Sequence, residues 1–278
     1  MQRNELCTGR FQHVSWVETT GSTNVDLVAA AAAEPLVPLV LLADEQTAGR
    51  GRLDRSWEQA RGGGLMVSFY VPWNDASTAH VVPTALGVAI ADAIAATGRV
   101  VGLKWPNDVV VGSRADAPPS SEEVQQLDGR KLGGMLSVAV TTDDGFAGVV
   151  AGLGCNISWP PRDYVELPDA AALDHLPGDR IDRDALASDL IYRFDAELTA
   201  VHESRVHRLA DRYRERCVTI GQDVRVDVGA DVVEGKATDV DPTGALILDV
   251  DGRQHRVDVG DVTHLRPRFL TQARTSIG

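Results

Sequence analysis

The sequence has few of the residues that build metal sites, disulfide frameworks or membrane spans. Its 278 residues include only three cysteines, whose spacing fits neither a zinc site nor a disulfide framework. The seven histidines show no metal-ligand spacing. No continuous apolar run approaches the ~18 residues of a membrane helix, and the first residues lack the apolar core of a signal peptide. We therefore expect a cytoplasmic protein with reduced cysteines and no membrane partner.

Basic residues are also scarce relative to acidic ones. The chain has 27 Lys and Arg against 40 Asp and Glu, a formal net charge of -13. Nucleic-acid binding depends on the neutralisation of phosphates by lysine and arginine, so this balance argues against a nucleic-acid partner. The residues before Ser15 are too few to form a helix-turn-helix, which argues further against a DNA-reading module.

Positive charge is nevertheless concentrated in one glycine-containing loop, Gln46–Trp57 (QTAGRGRLDRSW). Arg50, Arg52 and Arg55 lie within it, and Arg61 follows closely. Arginine offers planar donor forks suited to phosphate and carboxylate, and glycine lets the backbone approach an anion closely. By itself the loop is equally typical of a solvated surface segment, so the rest of the chain decides its role.

Hydrophobic periodicity predicts alternating helices and strands up to about residue 216. Helices are predicted from about Val25 to Glu34, over Ala79–Thr97, over Arg183–His202 and from there to about Arg216. Strands are predicted at Leu36–Ala43, Gly64–Val71, Val100–Trp105, Val109–Val111, Lys131–Val140 and Phe146–Leu153. Residues 1–216 are therefore expected to form one main domain.

Two segments differ in composition from this domain. Ser113–Asp128 is rich in proline, serine and acid, and we expect it to be a disordered insertion at a hairpin tip. After Cys217 short strand-like stretches alternate with tight turns, which is typical of a small β barrel. We place this second domain at residues 217–266, followed by a patternless tail at 267–278.

Five segments, taken in order, resemble the biotin protein ligase family. They are Gly21–Asn24 (GSTN), Gly49–Trp57, Lys104–Asp108 (KWPND), Lys131–Leu136 (KLGGML) and Gly152–Ser158 (GLGCNIS). The resemblance implies an α+β fold similar to class II aminoacyl-tRNA synthetases and lipoate ligases. It has a mixed β-sheet with helices packed on one side, followed by a small SH3-like β-barrel. The chain is similar to monofunctional members that lack an N-terminal DNA-binding domain.

The resemblance also implies a two-step reaction. Biotin and Mg-ATP form biotinyl-5′-AMP and pyrophosphate, and a lysine of a biotin carboxyl carrier protein domain then displaces AMP. The implied carriers belong to acyl-CoA or pyruvate carboxylases. The family contains both monomers and ligand-induced dimers, so we expect a monomer or weak homodimer. Two anions must meet in such a site, so cationic groups are needed to screen their repulsion.

Individual residues receive roles through the same resemblance. Biotin contacts are implied for Ser22, Thr23, Gln46, Gly49, Arg50, Gly51, Arg52, Lys131, Gly134, Leu136, Gly152 and Gly154. Nucleotide contacts are implied for Arg52, Arg55, Trp57, Asn107, Lys131 and Asn156. The catalytic group implied is Lys131, Arg52, Arg55 and Asp108, with Asp108 also near the magnesium ion.

Other interpretations of these residues stay open at this point. Ser22 and Thr23 are also typical helix caps, and Cys155 is more typical of a small packed residue than of a nucleophile. The same fold also serves lipoate or octanoate ligases and transferases, and a non-catalytic biotin-binding module is a further alternative. Asp54 departs from the family pattern, which often has glycine there, and we expect it to weaken the local positive field.

Overall fold

The computed structural model describes residues 8–53, 55–112, 122–159, 169–202, 205–258 and 260–265. The strands of the larger sheet are β1 (His13–Thr20), β2 (Leu39–Gln46), β3 (Gly64–Pro72), β4 (Val101–Lys104), β5 (Asp108–Val111), β6 (Lys131–Thr142) and β7 (Gly145–Asn156). The smaller sheet contains β8 (Asp223–Val228), β9 (Asp231–Val240), β10 (Leu246–Val250), β11 (Arg253–Val257) and β12 (Asp261–His264). The α-helices are α1 (Thr23–Ala33), α2 (Val81–Ala95), α3 (Glu122–Leu127), α4 (Arg183–His202) and α5 (Val206–Arg216).

The larger sheet is mixed, which confirms the expected fold class. Its strand order is β1-β2-β3-β7-β6-β5-β4. β1 and β2 run parallel, whereas the other neighbouring pairs are antiparallel. A parallel pair needs a crossover connection, and the Ala-rich α1 supplies it. Every residue of β3 from Gly64 to Val71 is buried, because this central strand is covered on both faces.

Helices cover both faces of this sheet, which corrects the expectation that they pack on one side. On one face α2 and α4 contribute to the main core, where the rings of Phe69 and Phe194 lie 4.8 Å apart. On the other face Leu27 and Ala31 of α1 pack against Tyr70. Successive strand residues point to opposite faces, so Phe69 and Tyr70 belong to different layers. Leu27 and Ala31 are one helical turn apart and give α1 the apolar stripe that it buries.

The central helix of the core is apolar on all sides. The helical segment Ala76–Ala95 has 20 residues with a mean hydropathy of 1.5, so by length and composition it passes as a membrane span. The sequence predicts a helix over Ala79–Thr97, but a count of continuous apolar runs does not identify it as long and apolar enough for a span. Leu86, Ile90 and Ile94 are 0% exposed, and 61% of the segment's apolar window is buried in the protein. Core packing accounts for its composition.

The five C-terminal strands form a separate antiparallel sheet in the order β11-β10-β9-β8-β12, as expected for the SH3-like domain. Its inward-facing residues, such as Val224 and Leu248, belong to the same continuous core as the larger domain. The Trp105 indole donates a hydrogen bond to Gly244 O (2.8 Å), and the Trp105 amide donates to Thr219 Oγ1 (3.0 Å). The KWPND turn therefore joins the two domains.

The expected disordered insertion at 113–128 needs correction in its second half. Residues 122–127 form α3, in which Val124 is 8% exposed and Leu127 3% exposed. These two residues are three apart, so they share one helix face that packs on the core. Beyond α3, Gly129 N donates to Val111 O (3.0 Å), which continues the chain into β6. Residues 113–121 and the predicted tail at 267–278 lie outside the described residues.

Candidate active site

The motif segments meet around one cavity of about 240 Å³ at the edge between the two domains. The predicted site residues that line it are Ser22, Thr23, Gln46, Arg50, Gly51, Arg52, Arg55, Trp57, Asn107, Asp108, Lys131, Gly134, Leu136, Gly152 and Gly154. The start of α1, the ends of β2 and β7, the arginine loop and the beginning of β6 bring these residues together. Gly49 and Asn156 are the predicted residues that do not line it.

The floor of the cavity is polar but uncharged. Gln46 Oε1 accepts hydrogen bonds from the backbone amide of Thr23 (2.8 Å) and from its hydroxyl (3.0 Å). The Ser22 side chain makes no capping hydrogen bond to α1, although Ser22 occupies the N-cap position. Ser22 is therefore positioned at the helix start without being used there as a cap.

Asn24 also lines this floor, and the buried Ser68 supports it from beneath; the sequence predicted a site role for neither residue. Asn24 donates to Leu136 O (2.9 Å), and its amide oxygen accepts from the Ser68 hydroxyl (2.6 Å). Ser68 is 0% exposed and also lies 2.8 Å from the Thr23 hydroxyl. A lone serine inside the apolar strand GLMVSFYV was the available signal, because buried hydroxyls are kept where they have polar partners.

Glycines form one wall of the cavity because other groups occupy the space of a side chain. A Cβ on Gly152 would lie 2.0 Å from Asn24 Oδ1, and one on Gly154 would lie 2.5 Å from the Trp57 ring. A Cβ on Gly134 would lie 3.0 Å from Lys131 Nζ. The glycines of KLGGML and GLGCNIS therefore serve close approach rather than turn formation.

Lys131 supplies the positive charge on the side of the cavity that is formed by strands of the larger sheet, which we call the sheet side. It opens β6, and its Nζ lies 2.7 Å from Asp108 Oδ1 and 5.7 Å from the centre of the Trp57 ring. Its backbone is fixed on the opposite side by hydrogen bonds to Asp169 O (2.8 Å) and from Ala171 N (2.9 Å). The ammonium group therefore projects from a rigid base.

A second lysine, Lys104, lies in the same electrostatic neighbourhood. Burial lowers the pKa of its ammonium group, the charge of Lys131 lowers it further, and Asp108 opposes both effects. Lys104 pairs with Asp108 in the β4–β5 hairpin register. This position makes Lys104 part of a charged cluster with Asp108 and Lys131.

The arginine loop forms a tight turn over the opposite side of the cavity. Arg50 and Ser56 make an antiparallel bridge, and Gly51 N donates to Arg55 O (2.7 Å). Gly49 supports the turn from outside the cavity, because a Cβ there would lie 2.3 Å from Trp57 O. The loop has few apolar residues and several like charges, so we predict that biotin or biotinyl-AMP orders it. Asp54 lies outside the described residues.

The loop arginines reach groups on two other segments. Arg52 donates to Asn107 Oδ1 (3.0 Å) and to Gly260 O (3.2 Å), and Arg55 Nη2 lies 2.5 Å from Asp261 Oδ2. Asn107 is itself fixed, since its side chain donates to Met135 O (2.8 Å). Gly260 and Asp261 belong to the C-terminal domain, and no motif in the sequence pointed to them.

Asn156 is placed differently from its prediction as a nucleotide contact. It is 3% exposed, its side chain donates to Ala171 O (3.0 Å), and its Oδ1 accepts from Gln59 Nε2 (3.2 Å). These bonds fix the segment that in turn holds the Lys131 backbone. In this arrangement Asn156 supports the segment that holds Lys131, and its contact with nucleotide stays a prediction.

The described residues contain no group of three or more His, Cys, Asp or Glu side chains placed to hold a metal. Asp108 is the predicted metal residue that lines the cavity, and it is paired with Lys131. Cys155 is 0% exposed, and burial raises the pKa of its thiol to about 12. A thiol in that state is a packed group rather than a nucleophile.

Comparisons with known proteins agree on one family. Residues 17–156 match the model described as the Biotin/lipoate A/B protein ligase family, and residues 219–265 match the Biotin protein ligase C terminal domain. The chain is 37% identical to the Biotin--[acetyl-CoA-carboxylase] ligase of Mycobacterium tuberculosis, over 92% of this chain and 90% of that protein. It is 25% identical to the Bifunctional ligase/repressor BirA of Bacillus subtilis, over 80% of this chain and 65% of that protein.

A solved structure shows the same fold. The biotin protein ligase from Aquifex aeolicus in complex with biotin and ATP superposes with a TM-score of 0.71 at 22% sequence identity. The match covers 92% of this chain and 100% of that one. Both sheets described above are therefore found together in a known protein.

Proposed function

The chain belongs to the biotin/lipoate A/B protein ligase family, and we propose that its cavity carries out both half-reactions of a biotin–carrier-protein ligase. In the first, biotin and ATP form biotinyl-5′-AMP and pyrophosphate. In the second, a carrier lysine takes the biotinyl group and AMP leaves. The enzyme joins carbon to nitrogen at the cost of one ATP converted to AMP and pyrophosphate.

One observation carries this proposal: the cavity combines a neutral polar floor with a cationic rim. Thr23 and Gln46 lie at the floor, where Thr23 is only 4% exposed. Lys131, Arg52 and Arg55 line the more open rim, with side chains that are 36%, 24% and 67% exposed. A ureido ring needs hydrogen-bond partners without charge, and a carboxylate and a phosphate need cations. Biotinyl-AMP matches this arrangement, because its uncharged ureido ring lies at one end and its acyl phosphate lies at the other end of the biotin chain. The apolar chain of lipoate or octanoate leaves the polar floor unused, which costs binding free energy.

The chain's own residues act mainly by placing charge. In the first step a biotin carboxylate oxygen attacks the α-phosphorus, and the bond to the pyrophosphate oxygen breaks. Lys131 bridges the two reacting anions, while Arg52 and Arg55 hold the phosphates and stabilise the charge that develops on them. In the second step the carrier amine attacks the carbonyl carbon, and AMP departs with the electrons of the broken C–O bond.

Magnesium fits this cavity as a companion of ATP rather than as a resident metal. Protein-bound Mg²⁺ is typically held by one or two carboxylates together with substrate phosphates. The Asp108 carboxylate lines the cavity beside Lys131 and would supply this ligand. When bound, the ion neutralises part of the triphosphate charge. Trp57 and Asn107 line the same region and complete the proposed nucleotide site.

The acceptor is proposed to be the biotin carboxyl carrier protein domain of an acyl-CoA or pyruvate carboxylase. The name of the Mycobacterium tuberculosis relative supports an acetyl-CoA carboxylase carrier for that protein. We further propose that the chain acts in the cytoplasm as a monomer or weak homodimer without a nucleic-acid partner, in line with its charge of -13.

Pyrophosphate release tests the first half-reaction. Purified protein with Mg-ATP is given biotin, lipoate or octanoate in separate reactions. We expect release with biotin and a rate at least tenfold lower with either fatty acid. Equal or faster release with lipoate or octanoate would assign the chain to the other branch of the family.

A further inference from the structure

Asp261 is the side chain through which the C-terminal domain reaches the cavity. It begins β12, which pairs with β8 through the register Asp261↔Asp227. It lines the cavity together with residues of the larger domain, and its side chain is 31% exposed. An acid at this place is unexpected on charge grounds, because the proposed substrates are themselves anions.

The contacts of Asp261 are with the loop arginines. Its Oδ2 lies 2.5 Å from Arg55 Nη2, and its Oδ1 lies 3.9 Å from Arg52 Nη1. The neighbouring carbonyl of Gly260 accepts a further hydrogen bond from Arg52 (3.2 Å). Two consecutive residues of the C-terminal domain thus hold the two arginines that are proposed to bind phosphate.

These contacts are weak enough to be exchanged. The Arg55 side chain is 67% exposed, and ion pairs with that exposure contribute about 0–1 kcal/mol. The guanidinium groups can pair with Asp261 or with a substrate anion, but an anion brought beside the Asp261 carboxylate is repelled by it. Substrate anions and Asp261 therefore compete for the same arginines.

We propose that Asp261 is a resident counter-anion that holds the arginine loop against the C-terminal domain until substrate anions replace it. Binding of the carboxylate or triphosphate frees Asp261 and replaces the loop's contacts with β12 by contacts with the substrate. The inference depends on the proposed function only for the identity of the competing anions. Asp261 is a positioning residue in this scheme, because it acts through Arg52 and Arg55.

The test compares Asp261→Asn with Asp231→Asn, an exposed acid at the start of β9 in the same domain. The ligand-free proteins are digested with trypsin, and cleavage after the loop arginines is followed by mass spectrometry. The KM values for ATP and biotin are then measured by pyrophosphate release. We expect Asp261→Asn to be cleaved about threefold faster and to show KM values about threefold lower, as loss of a pair of this strength predicts. Asp231→Asn is expected to match the wild type.

Each other outcome overturns the proposal. Lower KM values with unchanged cleavage would show that Asp261 only repels anions, and unchanged or higher KM values would show that it does not compete with them. If Asp261→Asn fails to fold, cleavage of the wild type over a salt titration decides instead, normalised to a free peptide substrate. A loop held by this ion pair is cleaved faster as salt rises. Absence of biotin-dependent pyrophosphate release by wild type would contradict the proposed function. The cleavage result does not depend on that function, because it is measured on ligand-free protein.

Discussion

The two sides of the cavity are held by different kinds of contact. On the sheet side, Lys131 and Gly152 sit in strands whose backbones are paired on both edges, above a floor of buried hydrogen bonds. On the loop side, Arg55 is anchored by an exposed ion pair to another domain. Breaking a buried polar contact costs about 1–3 kcal/mol, whereas an exposed ion pair contributes at most about 1. The contacts on the sheet side are therefore in place before substrate binds. The contacts on the loop side can be exchanged for contacts with substrate.

The largest effect is expected from Lys131→Ala, which removes the cation of the rigid side. The rate of biotin-dependent pyrophosphate release should fall by about 10²–10³-fold, the usual loss when one group that stabilises transition-state charge is removed. Lys236→Ala, at an exposed position of β9, is the control. A loss below about tenfold would place the essential charge on the loop instead.

Gly152→Ala tests whether the glycine wall is as tightly built as its contacts indicate. The added Cβ would lie 2.0 Å from Asn24 Oδ1 and must displace that side chain. We expect the KM for biotin to rise about tenfold and the free energy of unfolding to fall by about 1–3 kcal/mol. Gly21→Ala is the matched control, because a Cβ there meets nothing within 4 Å. Equal behaviour of the two variants would contradict a prebuilt wall.

Ser68→Ala tests whether the buried hydrogen bonds beneath the cavity floor stabilise the sheet side. The variant removes a buried hydroxyl that partners Thr23 and Asn24, which leaves their polar groups less satisfied. The free energy of unfolding should fall by about 1–2 kcal/mol, measured by urea unfolding, and the KM for biotin should rise a few-fold. Ser137→Ala, at an exposed position of β6, should change neither quantity. A stable variant with unchanged KM would mean that the floor does not bind the ring.

The smallest effect is expected in the pH dependence of stability, through His175 in the segment that hydrogen-bonds the Lys131 backbone. His175 Nδ1 accepts a hydrogen bond from Ala172 N (3.2 Å), and burial lowers the pKa of the imidazole. The folded-state pKa thus lies below the ordinary value of about 6.5. This contribution to stability is complete above that value and is lost as pH falls through the lowered folded-state pKa. Thermal unfolding at pH 7.5 and 5.5 should show a smaller pH dependence in His175→Asn than in wild type.

His207→Asn, on the exposed side of α5, serves as the control for that measurement. It should keep the wild-type difference between the two pH values. If His175→Asn also keeps it, acid sensitivity does not arise in the segment that supports Lys131.

The same comparison separates what the sequence predicts from what it does not. The strands that carry Lys131 and Gly152 were predicted from their hydrophobic pattern, and the place of these two residues at the site was implied by the family resemblance of their motifs. Arg52 and Arg55 also contact Gly260 and Asp261, which lie more than 200 residues away in a domain without site motifs. Only the folded arrangement of the two domains brings them together.

Two other features that the sequence did not foresee, the buried position of Asn156 and the helix at residues 122–127, have a similar origin. Asn156 lies in a motif but points into the core, because its amide completes the hydrogen bonding of the segment around Ala171. The composition of residues 113–128 concealed Val124 and Leu127, a two-residue apolar face too short to give a periodic signal. Packing against the sheet, rather than local propensity, places both features.

The most direct test of the central claim is transfer of biotin to a purified carrier domain, followed by intact mass. Wild type is incubated with Mg-ATP, the carrier and either biotin or lipoate, and Lys131→Ala is run beside it. We predict that the carrier gains the mass of one biotinyl group with wild type, little or none with Lys131→Ala, and no lipoyl group. Modification by lipoate alone, or full biotin transfer by Lys131→Ala, would contradict it.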